Sequence, residues 1–305
     1  MDRSAVGCCL PVRKSAPAAT SDVRLRLPAN RTYGKPRGNS GFTLVELVLV
    51  ILLLGIMATF TSQFIGIGTQ IYGDASSREQ LMSDARFAME RLNRELRDAV
   101  PGSVRIEGED GHWQDEGPCL RFWPISNSGR YLALNRPVSG SIGSFELLMA
   151  DPDVAVEPDK EWLLVFPLPV ASGQQSLLDG CEYGRCVALV SSVGPLISGA
   201  RAIGYRGGAL AGQSPGMRVY FARDQVRYCV QHGALYRATA PISAGIATLP
   251  PGALMAEHIR TGGADYFYRE PAAFNVSGEF GMRWVFERKG ESVTFNHKIE
   301  VQNVP

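Results

Sequence analysis

Between Phe42 and Val100 the sequence contains no proline, and between Phe42 and Gly73 it contains a single charged residue, Glu46. The first absence leaves 59 residues free to form one helix, of roughly 88 Å at ~1.5 Å per residue, since proline is what most often breaks a helical ladder. The second marks Glu46 as functional, because a lone carboxylate in an apolar run is costly unless a cation meets it. Positive charge is scarce beyond the start of the chain. Residues 1–41 carry eight Lys and Arg against two Asp, a net +6, which leaves −5 for the remainder of a chain whose total is +1. With no basic stripe outside that segment, nucleic-acid binding is excluded for the body.

Signatures of catalysis and of metal or nucleotide binding are also missing. His112, His232, His258 and His297 show neither metal-ligand nor triad spacing, and surface histidine is the plainer reading. Asp151-Pro-Asp153 with Glu157 and Asp159 lacks the EF-hand glycine and terminal glutamate, so it reads as a solvated acidic loop. GALAG at 208–212 has no P-loop lysine. No cofactor is expected, and the chain does not read as an enzyme.

What is present begins with a leader. Residues 1–41 are basic, rich in Pro, Ala, Ser, Arg and Asn, and without helical or strand period. A signal-peptide boundary would follow the apolar stretch, whereas Ser40-Gly41 precedes it. The lipoprotein reading of Cys8 fails because nothing apolar precedes it. Leu47 to Ile67 gives 21 residues, roughly 31 Å of helix against a hydrocarbon core of ~30 Å. Basic residues before the span hold that end in the cytoplasm and send the acidic remainder across the membrane. A plain signal anchor would satisfy the same hydropathy.

Beyond the span, Leu81, Ala85, Ala88, Leu92, Leu96 and Ala99 recur at helical spacing, widened by Met82 and Met89, and predict one buried stripe. Opposite them stand ten charged residues from Arg78 to Asp98, read as a solvated face with Glu90 and Arg94 in the acid-first i,i+4 order. Gly66, Gly68 and Gly73 are weak points where the helix could unwind, each costing ~1 kcal/mol relative to alanine. Pro101-Gly102 is the expected stop.

Gly41-Phe-Thr-Leu-Val-Glu46 ahead of an apolar helix resembles the class III signal of type IV pilins and type II secretion pseudopilins. The resemblance implies that a prepilin peptidase cuts between Gly41 and Phe42, that Phe42 is then N-methylated, and that Glu46 neutralises the N-terminal amine of a neighbouring subunit during assembly. The chemistry of the residues agrees. After cleavage Glu46 lies about one helical turn from the new ammonium, so acid and amine share a depth in the bilayer, and pairing removes the cost of two buried charges. A 41-residue leader is longer than is usual in the family. Either it is unusual or translation starts later, for instance at Val23, and Cys8 and Cys9 are then artefacts of the assigned start.

The likeness extends further. Ser62 to Ile106 is similar to the helix of larger minor pilins, and Arg218 to Thr239 looks like the late hairpin of J-type pseudopilins and W-type pilins. The ending FNHKIEVQNVP is most similar to MshO-type minor pilins of the mannose-sensitive haemagglutinin (MSHA) pilus. The implied function is that of a minor pilin taking part in pilus assembly or initiation. A J-type pseudopilin and a pilus-tip adhesin are the alternatives. The implied partners are other pilins through the N-terminal helix, the prepilin peptidase and N-methyltransferase, the inner membrane and the pilus assembly platform. The protein is expected to be a single-pass protein of the bacterial inner membrane, its C-terminal domain periplasmic, later incorporated into a pilus.

Four regions are expected: the leader 1–41, a membrane half 42–67, an amphipathic half 68–100, and a β-rich domain 102–305. The fold class is α+β and type IV pilin-like, a long helix on an antiparallel sheet. Ten strands are predicted, Leu120–Ile125, Tyr131–Val138, Phe145–Met149, Trp162–Phe166, Cys186–Ser192, Met217–Ala222, Gln225–Val230, Leu235–Ala238, Met282–Arg288 and Val293–Val301. Turns are expected at His232-Gly233 and Lys289-Gly290. Trp284, Val285 and Phe286 make the last ribbon mixed rather than alternating. Across the membrane lie Cys119, Cys181, Cys186 and Cys229, where disulfides persist, and four cysteines allow three pairings. An extended strand would hold Cys181 and Cys186 roughly 17 Å apart, so a bridge between them needs the turn that Tyr183-Gly184 permits. That pairing leaves Cys119 with Cys229, and the others stay open.

Overall fold

The computed structural model describes residues 41–135, 143–149, 155–167, 186–206, 210, 213–244, 249–263, 266–269 and 279–300. The leader up to Ser40, the end of the predicted strand Tyr131–Val138 from residue 136, Asp151-Pro-Asp153, Cys181, the turn at Tyr183-Gly184, all of GALAG but Leu210, and the end of the chain from Val301 lie outside the described residues. By contacts the chain divides into two compact units, Met1–Phe60 and Thr61–Pro305.

Helix α1 runs Leu44–Arg97. The strands follow as β1 Arg105–Glu107, β2 Glu116–Gly117, β3 Cys119–Phe122, β4 Asn127–Asn135, β5 Gly143–Met149, β6 Trp162–Leu164, β7 Val187–Ile197 and β8 Ala200–Arg206. They continue as β9 Arg218–Ala222, β10 Asp224–Gln231, β11 Ala234–Pro241, β12 Ala253–Ala256, β13 Phe267–Arg269, β14 Glu279–Arg288 and β15 Glu291–Glu300. They form a five-stranded sheet ordered β1-β3-β10-β11-β12, a four-stranded sheet ordered β15-β14-β13-β2, and a closed barrel ordered β4-β5-β8-β7-β6-β9. All ladders are antiparallel. The fold is thus α+β and type IV pilin-like.

In the second unit the apolar stripe of α1 is buried as its spacing predicts: Leu81, Ala85, Ala88, Leu92 and Leu96 lie in one core with residues of both open sheets. Alanine at two stripe positions lets the backbone approach closely, while Leu120, Phe122 and Tyr228 of the first sheet and Met282, Trp284 and Phe286 of the second fill the space. Trp284 stands edge-on to Phe267 at 5.8 Å, a favourable aromatic geometry. The helix continues through Gly66, Gly68 and Gly73 without a break.

It stops at Arg97, ahead of the expected Pro101-Gly102, because the chain switches to pairing with Trp123–Ile125, the segment between β3 and β4. The Val100 amide donates to the Trp123 carbonyl at 2.8 Å, and the Ile125 amide to that of Asp98 at 2.8 Å. Pro101-Gly102 forms the turn that follows, with Gly102 at φ 75°. The charged face needs a second correction. Glu95 is half-buried and turned toward the sheet, and among the described residues the ion pair within the helix is Arg91–Glu95, not Glu90–Arg94.

The barrel is an insertion. The chain leaves the five-stranded sheet after β3, builds all six barrel strands, and returns in β10, the strand paired with β3. It has its own core of Tyr131, Phe145, Leu163, Val190, Tyr205 and Phe221 among others. Its base is sealed by a smaller cluster that includes Val100, Trp123 and Ile242.

Ten predicted strands are present with shifted ends, and five short or weakly patterned ones were not expected: β1, β2, β8, β12 and β13. β8, ARAIGYR, has few β-formers and exists because β5 and β7 supply both ladders. The last ribbon is corrected: in β14 Phe280, Met282, Trp284 and Phe286 are buried, with Arg283 exposed between Met282 and Trp284 and Glu287 exposed after Phe286. Val285 is only half-buried, so the pleat alternates after all. His232-Gly233 and Lys289-Gly290 are two-residue turns with positive φ throughout, as expected, and Ser198-Gly199 is a third.

Candidate functional site

Gly41, Phe42 and Thr43 are non-helical, and Thr43 caps α1. Its carbonyl accepts the Leu47 amide at 3.2 Å, and its Oγ1 accepts the Glu46 amide at 3.3 Å, so one side chain satisfies a donor that the first turn would leave open. Thr43-Leu-Val-Glu46 is therefore the S/T-x-x-E pattern of a capping box, a signal present in the sequence that a reading centred on Glu46 alone passed over. The Glu46 carboxylate also lies where the helix dipole favours an anion.

All described residues from Gly41 to Tyr72 are exposed, Phe42 at 81%. α1 is the one helix among the described residues long and apolar enough to cross a membrane, and none of its most apolar stretch is buried in the protein. Among the described residues Glu46 makes no ion pair. A Cβ added at Gly41 would meet nothing within 4 Å. Any demand for glycine there thus comes from outside this chain's own packing.

Cys119 and Cys229 are joined, directly opposite one another in the β3–β10 ladder, across a sequence separation of 110. Cys186 is disulfide-bonded as well, while Cys181 lies outside the described residues. The same face of the sheet holds a fully buried carboxylate, Glu107. It receives Arg121 Nε and Nη2 at 2.8–3.0 Å, with Arg105 and Arg227 also paired to it, and Gln225 accepts from Arg121 Nη1 at 2.8 Å. A buried charge needs such partners, and the network locks β1, β3 and β10 in register.

The four histidines are exposed, and no group of three or more metal-type ligands occurs among the described residues. Glu157 and Asp159 are held in ion pairs with Lys160, Arg223 and Arg206. The Lys160 hydrogen bond and charge keep the Glu157 carboxyl below its ordinary range.

Residues 36–62 match the prokaryotic N-terminal methylation motif. No curated protein and no solved structure matches the chain. The motif match, which contains Gly41, Phe42, Thr43 and Glu46, supports a membrane-anchored, type IV pilin-like or pseudopilin protein, a structural rather than enzymatic role, and processing by a prepilin peptidase before pilin assembly.

Proposed function

We propose that this chain is a minor pilin of a type IV pilus of the MSHA class, cut between Gly41 and Phe42, N-methylated at Phe42, and assembled through its N-terminal helix. The carrying observation is the exposed Glu46, capped into the first turn by Thr43 and without an internal cation, at the head of a wholly exposed apolar segment. A carboxylate so placed in lipid needs an external positive charge, and the amine freed at Phe42 of a neighbouring copy supplies it. In this reading residues 1–41 are the cytoplasmic leader, 42–67 the membrane half, 68–100 the amphipathic half and 102–305 the periplasmic domain. Cys181–Cys186 is the second bridge.

The subunit primes filaments at the tip, since a body carrying an inserted barrel is awkward to repeat along a shaft. Mass spectrometry of the mature N terminus tests the processing: N-methylphenylalanine at position 42 supports it, and an intact leader overturns it. Abundance equal to the major subunit along sheared filaments would overturn the tip placement. A J-type pseudopilin shares every N-terminal step, and its signature is co-purification with a secretion system rather than a pilus. The barrel favours a further reading, a tip adhesin, because it is a compact module inserted between β3 and β10 of the pilin-like sheet.

A further inference from the structure

On the outer wall of the barrel Arg130 of β4 and Arg218 of β9 are direct cross-strand partners. Both point away from the barrel core, since their neighbours Tyr131 and Val219 are the buried ones. Like charges placed opposite one another destabilise a ladder. Here nothing within the described residues offsets that cost, for neither guanidinium makes an ion pair or side-chain hydrogen bond there. The contrast with the same barrel's other bases is sharp: Arg206 pairs with Asp159, Lys160 with Glu157, and Arg223 with Glu157 and Asp224. Glu146, an exposed carboxylate of the same wall, stands one pleat along β5 from Leu148 and pairs with neither arginine.

The two arginines border an open cleft of about 450 Å³ whose lining also includes Ser128, Leu148 and Tyr220. Leu148 faces Arg130 from β5 and Tyr220 faces Ser128 from β9, so an apolar side and an aromatic side flank the paired cations. The position of Arg218 is built. Ser214 Oγ accepts its amide at 3.1 Å, the Ser214 amide donates to the buried Tyr131 hydroxyl at 2.8 Å, and Met217 between them is held at φ 53°. Such a left-handed conformation is uncommon for a side chain of that size.

We infer that this cleft binds the carboxylate of an acidic sugar, with Arg130 and Arg218 taking the anion and Tyr220 and Leu148 packing on the ring. Two guanidinium forks match a carboxylate's two oxygens, and the volume is that of a small-molecule site rather than of a protein interface. The inference concerns the barrel alone and stands or falls apart from processing at Gly41.

The test uses the full-length chain in detergent, titrated calorimetrically with a trimeric uronic-acid oligosaccharide. Saturable binding that weakens as salt rises, about tenfold loss in Arg130→Gln or Arg218→Gln, and loss with the methyl-esterified trimer are expected. Removing one of two facing like charges leaves the unliganded protein's Tm unchanged or higher, which separates lost binding from lost folding. No binding of the trimer by the wild type, or binding unchanged in both variants, overturns the inference. Inorganic phosphate binding where the acidic trimer does not would overturn the sugar assignment too.

Discussion

Glu95 of the helix and Arg237 of β11 are joined at 2.9 and 3.0 Å, the arginine's Nε shared between both carboxylate oxygens. The Tyr228 hydroxyl donates to the same carboxylate at 3.0 Å, and Arg91 Nε reaches it at 2.6 Å. A residue whose spacing suggested a solvated face is therefore the polar anchor between α1 and the sheet.

Glu95→Ala leaves the half-buried Arg237 and the buried Tyr228 without this acceptor. The expected loss is about 2 kcal/mol, the scale of a charge-assisted hydrogen bond in a partly buried site. Thermal unfolding reads this as a fall in Tm of several degrees. Burial, and next the Glu95 charge, push the Tyr228 phenol well above its ordinary value. Alkaline absorbance titration should find this phenol still un-ionised at a pH somewhat above ~10, the ordinary value of a tyrosine side chain.

Glu161 is buried, and burial raises its carboxyl above the ordinary value, against the Ser126 hydrogen bond that lowers it. A folded-state pKa above the unfolded one means that the unfolded state releases its proton first. Stability from this group is therefore full below the unfolded value and falls as pH rises toward the folded value. Glu161→Gln is expected to be more stable than wild type at neutral pH, with the gap closing below about pH 4. Denaturant midpoints at pH 3.5 and 7 check it, and a gap that stays constant contradicts it.

The Cys119–Cys229 bridge closes the chain around the whole inserted barrel, a separation of 110 residues. In the chain-entropy model a loop of that order contributes about 4.7 kcal/mol. The double substitution to alanine, scanned against wild type, is expected to lower Tm by about ten degrees. A change of a degree or two would mean that the β3–β10 ladder holds the base of the barrel unaided.

Gly41→Val adds a side chain where the protein itself offers no obstruction within 4 Å. Its folded body is expected to melt as wild type, while intact-mass analysis finds the leader retained. Glu46→Ala is expected to be trimmed normally and then to be absent from sheared filaments. Loss of trimming in Glu46→Ala would move the carboxylate's role from assembly to recognition by the peptidase.

Patterns that depend on local spacing were legible in one dimension. The uninterrupted apolar run with its lone Glu46, the stripe from Leu81 to Leu96, and the Gly-containing turns at 232 and 289 all express periods of helix, bilayer or hairpin, which neighbouring residues set among themselves. The contacts of Glu95 and Glu107 were not legible in that way. Each is one charge in a charged stretch until the fold brings Arg237, or Arg121 and Arg227, against it.

The chain's own order of residues thus settled the membrane-length helix, its capped start at Thr43 and the face by which it packs, because a helix is made by residues three and four apart. Tertiary structure alone decided that residues between β3 and β10 close into a barrel, that β8 is a strand, and that Arg130 stands opposite Arg218. Those outcomes depend on ladders between segments tens of residues apart. Register between them is chosen by the packing of the whole core, which no short stretch of sequence contains.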